Sequence, residues 1–585
     1  FTGLEIPRDY YKKRRKQSMK KRMLAAVMAA LTAASLLAGC GQTNEKPAEQ
    51  QSETKVEESK QETMAVVSED GRKMSESGVY KTGLPIVDEE QTLKVMVIQN
   101  NPDVAPEDTV IHKEIQQATG VKIEWECIPA TSWPEKKGLL FATGELPDII
   151  LGGNFTDAEL LNMADADQIL PLNDLIAEYG ENFKEVCSKD ESLLKDITAP
   201  DGNIYGLPRY MSGQDETLPS VASTRSMLYI NKKWLDKLGL DIPTTTEEFK
   251  AVLQAFKDND ANGNGLEDEV GISAVGDFDT WFGAFGIVPS DSVAQYKNIM
   301  VKDGKVQFAA VQPEYKEAIK YFNELWKAGL VDKESFTQDD AMWGAKLKNP
   351  EVRTVGAFTA WRGTSYRLDN EDDEYVIMPP LTGPDGDCLY PKYYYGVQQR
   401  GTCVITSACE NPELAMRWAD NLIAPLNSYQ FWTNVKIGYS IKLNADGTQF
   451  ELIQPQPEFG TAEYNKQIGG SDFGICCVAA DTMAMKPVDP DPFNVDNEIA
   501  QGKPLYTPHF PKEYYPNTFL SLEEAELISE MKADIDEYVK QMYAKWISEG
   551  GIDEEWDSYL SKLNAMGLEE YLAQYQAALD RYNSN

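Results

Sequence analysis

Histidine is nearly missing from this chain: His112 and His509 are the only two in 585 residues. Catalysis through a histidine base and zinc sites built on imidazole therefore have almost no supply to draw on. The eight cysteines include no Cys-x-x-Cys spacing and no Cys/His metal pattern. Basic charge is also short, with 56 Lys and Arg against 94 Asp and Glu, a net charge of −38. Nucleic acid and anionic membrane surfaces are poor partners for such a chain. No long apolar run is present either: the stretch Leu24 to Leu37 falls short of the ~20 residues that span a bilayer.

That short stretch has another use. Lys20, Lys21 and Arg22 precede it, and it ends Leu37-Ala38-Gly39-Cys40, which resembles a bacterial lipobox. Residues 19–39 are thus expected to be a removable signal peptide, with cleavage before Cys40 and a lipid on its sulfur. This predicts a mature chain anchored by lipid at the outer face of the cell membrane, in an envelope of the Gram-positive kind. The chain begins with Phe1, and residues 1–18 are read as non-native sequence upstream of Met19. Residues 40–90, rich in Glu, Gln, Lys and Ser, are expected to form a flexible tether. With Cys40 lipidated, seven cysteines remain, including the vicinal Cys476-Cys477, and free thiols are expected.

From Gln91 onward the pattern is that of a folded protein. Leu93 to Ile98, Val121 to Trp125, Pro147 to Leu151 and Ser226 to Ile230 have strand character. Ile111 to Thr119 and Thr246 to Phe256 have helical apolar spacing. Alternation of the two predicts an α/β chain with largely parallel sheet. Between Ser521 and Tyr582 the chain reads as helix-rich, with Ile528, Ile535, Tyr538, Val539, Met542 and Trp546 on one face.

Several segments, in order, resemble the family 1 extracellular solute-binding proteins of ABC transporters, especially the large lipoproteins near the alginate-binding group. They are Phe141 to Ile150, Ile169 to Leu175, Asn203 to Pro208, Tyr229 to Gly239, Tyr315 to Gly329, Pro380 to Gly386 and Ile552 to Trp556. The resemblance implies a two-lobe, type II periplasmic-binding-protein-like α/β fold with a hinge and a helix-rich C-terminal tail. It places lobe one at 91–215 and 396–450, and lobe two at 216–395 and 451–585. It further implies a non-enzymatic, monomeric receptor that takes an oligosaccharide between its lobes and delivers it to an ABC transporter permease.

The run from Asp258 to Glu269 alternates oxygen-bearing side chains with Gly263 and Gly265. A structural Ca²⁺ wants six to eight oxygens at about 2.3–2.6 Å, which such a loop can supply. An EF-hand register would use Asp258, Asp260, Asn262 and Glu269. A shorter register, similar to the loop of the alginate-binding relatives, uses Asp260, Asn262, Asn264, the Leu266 carbonyl, Asp268 and Glu269. The shorter one is preferred, because it keeps Gly265 at the bend and closes on adjacent carboxylates.

Sugar recognition needs flat aromatic faces and planar polar groups. Trp361 and Arg362 follow a small-residue strand at the kind of edge where open α/β sheets take ligands. By resemblance Trp133 is the facing residue of lobe one and Trp281 a further contact of lobe two, with Tyr393 and Tyr394 near a crossing strand. Acidic sugars would require cations such as Arg209, Arg225, Arg362 or Arg367. Two other functions remain open: a receptor for peptides or other non-sugar solutes, and a surface glycoside hydrolase using two carboxyls. Release of product from a bound oligosaccharide separates the hydrolase from the receptor. A structural adhesin would bind no small ligand at all.

Overall fold

The computed structural model describes residues 66–67, 71–100, 104–212, 226–289, 296–368, 374–393, 396–459, 461–487 and 495–584. The signal peptide, Cys40, Arg225 and Tyr394 lie outside them. All described residues belong to one compact unit, Ala65–Asn585.

Ten strands build two sheets: β1 Gln91–Gln99, β2 Val121–Pro129, β3 Ile149–Phe155, β4 Leu207–Met211, β5 Met227–Asn231, β6 Val270–Ile272, β7 Val355–Ala360, β8 Tyr375–Met378, β9 Gly396–Ile405 and β10 Cys477–Val478. Lobe one is a six-stranded sheet in the order β10-β4-β9-β3-β1-β2. Here β1 runs parallel to β2 and β3, while β9 lies antiparallel between β3 and β4. Helices cover both faces, so β1 is apolar on both. Val95 and Val97 enter one core with Ile111, Ile115 and Trp418, and Met96 and Ile98 enter the other with Leu140 and Leu160.

Lobe two has the order β8-β5-β7-β6. Its core joins the sheet to helices Thr246–Asp258, Pro313–Lys327 and the three C-terminal helices Leu522–Glu549, Ile552–Ala565 and Leu568–Ser584. Ser521 and Glu524 form a reciprocal cap at the start of the longest helix. Ile528, Ile535, Val539 and Trp546 are buried on one of its faces, as the apolar spacing predicts, with Tyr538 and Met542 half-buried beside them. Among the described residues no helix is long and apolar enough to cross a membrane.

Two expected boundaries need correction. The stretch 71–90 is not tether: Val79, Ile86 and Val87 are buried in the lobe-one core. Ile86 N–H donates to the Thr119 carbonyl (2.8 Å), and Arg417 donates to the carbonyls of Tyr80 (3.0 Å) and Gly83 (2.6 Å). Nor does the chain enter lobe two at 451. Cys477 and Val478 pair in parallel with Tyr210 and Met211 as the edge strand of lobe one. Ile441, Phe450 and Met483 pack with Met211 and Tyr429. The passage into lobe two comes later, between helix Ala480–Ala484 and helix Val495–Tyr506.

The registers show which sheet edges face the crossings. Met211, the last residue of β4, pairs with Gly396, the first residue of β9. In lobe two, Met227 at the start of β5 pairs with Ala360 at the end of β7. Chain passing from one lobe to the other therefore leaves and enters at these ends.

Candidate functional site: the crossing edges of the two lobes

A cavity of about 230 Å³ opens at the crossing edge of lobe one. Asn100 follows β1, Gly152-Gly153-Asn154 closes β3, and Arg209 lies on β4. Gly152 needs φ +75°, and a Cβ there would stand 3.1 Å from the Ile98 carbonyl oxygen. Only glycine allows this wall to lie so close to its neighbour strand.

Trp133 forms another wall. It is 7% exposed, its ring edge meets Phe155 (centroids 5.9 Å apart), and its indole N–H donates to the Gly153 carbonyl at 3.0 Å. Lys137 reaches the cavity while paired to Glu159. Burial works to raise the Glu159 pKa, but the Lys137 ammonium and the Thr156 cap together hold it below the usual carboxylate value. Asp472 enters from the segment preceding β10: its two oxygens accept from the Asn100 backbone N–H (2.9 Å) and side-chain amide (2.7 Å). Arg209 lays its guanidinium over the Trp432 ring at 4.9 Å, and its Nε has no hydrogen-bond partner. Cys476 lies at the cavity wall, its pKa pushed up to about 11 by burial, with Arg209 acting in the other direction. All seven described cysteines are free thiols.

In lobe two, Trp361 comes directly after β7 at the crossing edge and is 53% exposed. Arg362 lies over its ring at 5.3 Å, and the next residue is fixed by Gly363 N–H donating to Glu498 (2.9 Å). Tyr393 is half-buried just before the chain re-enters lobe one. Trp281 does not join them. It is 5% exposed and stacked on Phe249 (centroids 4.8 Å, planes 22° apart), so its assignment as a ligand contact is corrected to a core residue. Its place in the run Asp279–Phe285 of tight helix turns its ring inward.

Asn100, Asn154 and Asp472 were not singled out from sequence. The first two stand directly at the ends of strands β1 and β3, a position that marks ligand sites in open sheets. Asp472 carries no local signal, since it reaches the cavity only because residues 451–478 stay with lobe one and complete its sheet through β10.

The acidic loop between helix Thr246–Asp258 and β6 folds back on itself. Asp258 is the last helical residue. Asp260 Oδ1 accepts from Gly263 and Gly265 N–H (3.1 and 3.2 Å). Asn262 and Asn264 donate their amides to the two oxygens of Asp268 (2.7 and 2.9 Å). Leu266 N–H donates to Asn264. Glu269 accepts from Asn262 N–H through Oε1 (3.1 Å), while its Oε2 is buried without a partner. Among the described residues no cluster of three His, Cys, Asp or Glu stands in metal-holding array. An orphaned, buried carboxylate oxygen at the closing position nonetheless fits a loop that takes a hard cation, because such an oxygen is otherwise costly.

A hinged pair of α/β lobes with a cavity at the crossing edge is the construction of a solute-binding protein. The chain belongs to the bacterial extracellular solute-binding protein family, whose model matches residues 101–425, and it has the type II periplasmic-binding-protein-like fold. It is 32% identical over 511 residues, 85% of this chain and 91% of the relative, to the fructooligosaccharide ABC transporter substrate-binding protein FusA of Streptococcus pneumoniae. The structure of the S. pneumoniae FusA with kestose is similar at 31% identity and a TM-score of 0.70, covering 85% of this chain and all of that one. A FusA EF-hand mutant with fructo-nystose is similar at 30% identity and a TM-score of 0.68, with the same coverage.

Proposed function

We propose that this protein is a cell-surface receptor that holds an oligosaccharide between its lobes and hands it to an ABC transporter permease. The observation that carries this reading is the lobe-one cavity, where an aromatic wall and convergent polar groups meet at the edge by which the chain crosses to lobe two. Trp361, exposed at the corresponding edge of lobe two, offers a flat face for a sugar. Similarity to a fructooligosaccharide-binding protein supports the same ligand class. Ligand contacts to both lobes favour the closed arrangement over the open one, and the permease takes up the closed form. Trp133, Arg362, Tyr393 and Tyr394 complete the cleft in this reading.

Asp260, Asn262, Asn264, the Leu266 carbonyl, Asp268 and Glu269 would hold a Ca²⁺ that pins the loop. Its part is structural. A lipid on Cys40 keeps the monomer at the outer face of the membrane. The reading is of a receptor rather than a hydrolase: among the described residues the cavity lining carries one carboxylate, Asp472, engaged by Asn100, whereas a glycosidase works with a pair.

Titration calorimetry with fructooligosaccharides, oligogalacturonides and a mixed peptide digest tests the proposal, followed by chromatography of the recovered ligand. Binding of one sugar class, with the sugar recovered intact, is the expected result. Heat confined to peptides, or recovery of shortened sugar, would overturn it.

A further inference from the structure

The lobe-one cavity contains two charged groups whose remaining bonding capacity is opposite in kind. Arg209 is a pure donor. Its guanidinium is stacked on Trp432, no carboxylate among the described residues pairs with it, and its buried Nε has no partner there, so donor capacity remains. Asp472 is a pure acceptor. Each of its oxygens takes one hydrogen bond from Asn100, and a carboxylate oxygen can accept about two. Lys137, the other cation at the wall, is engaged by Glu159 and adds no free charge. Arg209, Asp472 and Cys476 all line this one small cavity.

We infer that Arg209 and Asp472 together select an uncharged sugar ring over a uronate in the lobe-one cavity. A hydroxyl donates and accepts at once, so a ring bearing neighbouring hydroxyls can satisfy both partners. A carboxylate only accepts. It would bond Arg209 but bring a second negative charge toward Asp472, inside a low-dielectric pocket of a protein whose net charge is already −38. At about 230 Å³ the cavity is smaller than the ~300–1,000 Å³ that encloses a drug-sized ligand, so it takes one end of a longer molecule. The chemical class that follows is a neutral oligosaccharide with a terminal ring seated in lobe one. The inference rests on the proposed reading of this cleft as a sugar site.

The test uses the whole chain and two ligand panels, neutral trisaccharides (kestose and maltotriose) and the corresponding oligouronide (trigalacturonate), with Kd measured for the wild type, Arg209→Lys and Asp472→Asn. The wild type is expected to bind at least one neutral trisaccharide tenfold or more tightly than trigalacturonate. Arg209→Lys keeps the charge but loses the fork, and should weaken the neutral ligand tenfold or more with an unchanged Tm. Asp472→Asn should move the uronate-to-neutral affinity ratio toward the uronate by tenfold or more, a change in selectivity that a merely structural residue would not produce. Equal or tighter binding of trigalacturonate by the wild type, or wild-type affinities and ratios in both variants, would overturn the inference while leaving a sugar receptor standing. A wild type that binds a peptide digest and no sugar would overturn the receptor reading itself, and this inference with it.

Discussion

His112 lies on helix Val110–Thr119 with its ring edge to Trp125 (4.9 Å, 71°) and against Phe431 and Phe473. Burial lowers its pKa to about 4, although a hydrogen bond to the Phe473 backbone pulls the other way. Above pH 6.5 the ring is neutral in both the folded and the unfolded chain, and it adds no pH dependence. As pH falls below 6.5 the unfolded chain takes up a proton that the folded one refuses. Stability is therefore lost progressively down to about pH 4, by ~3 kcal/mol at ~1.4 kcal/mol per pKa unit. Denaturant unfolding of His112→Phe should show a loss between pH 7 and pH 4 that is smaller than the wild type's by about this amount; equal losses would show that His112 is not buried neutral. The same scale shows what a single sequence hides. Trp361 and Trp281 both lie outside clean helical stripes, yet one is open to solvent and the other stacked on Phe249. The difference is one of tertiary placement: Trp361 directly follows β7, whereas Trp281 lies in the tight helix Asp279–Phe285 packed on Phe249.

At the scale of the element, the acidic loop is the segment with the most specific chemistry. Its carboxylates and amides now satisfy one another, apart from the buried Oε2 of Glu269. A cation that binds only the folded loop should raise stability by about 2.7 kcal/mol at 100 times its Kd, a Tm increase of a few degrees or less for a chain of this size. Thermal unfolding in Ca²⁺ against chelator should show that increase in the wild type and lose it in Glu269→Gln. In chelator the variant should be no less stable than the wild type, since it removes a buried charge with an orphaned oxygen. An unchanged Ca²⁺ response in Glu269→Gln would contradict the assigned ligand set. The alternating strands and helices were legible because local pattern determines them: two-faced apolar runs make buried strands. Residues 71–90 were harder. Their polar composition suggests a tether, while the pairs Val79-Tyr80 and Ile86-Val87 are what lobe one buries.

At the scale of the whole molecule, the two lobes are joined by more than the crossing chain. Arg400, 6% exposed on β9, donates to both Asp157 oxygens (2.9 and 3.1 Å), to the Asp196 carbonyl (2.5 Å) and to the Asn517 carbonyl. Asn517 in turn donates to Val397 (2.6 Å), Leu520 N–H to Asp157 (3.2 Å) and Tyr582 to Asp196 (2.8 Å). Residues preceding the C-terminal helices are thus fastened to lobe one beside the crossing strand. The order of family-like segments made two lobes legible, but not where the chain makes its last passage. That passage depends on β10 completing the lobe-one sheet, a pairing between residues far apart in sequence. The central claim is that a sugar held between the lobes draws them together. Small-angle X-ray scattering of the chain without and with saturating fructooligosaccharide tests it most directly: the radius of gyration should fall on binding. A saturated complex with an unchanged radius of gyration would contradict hinge closure around the ligand.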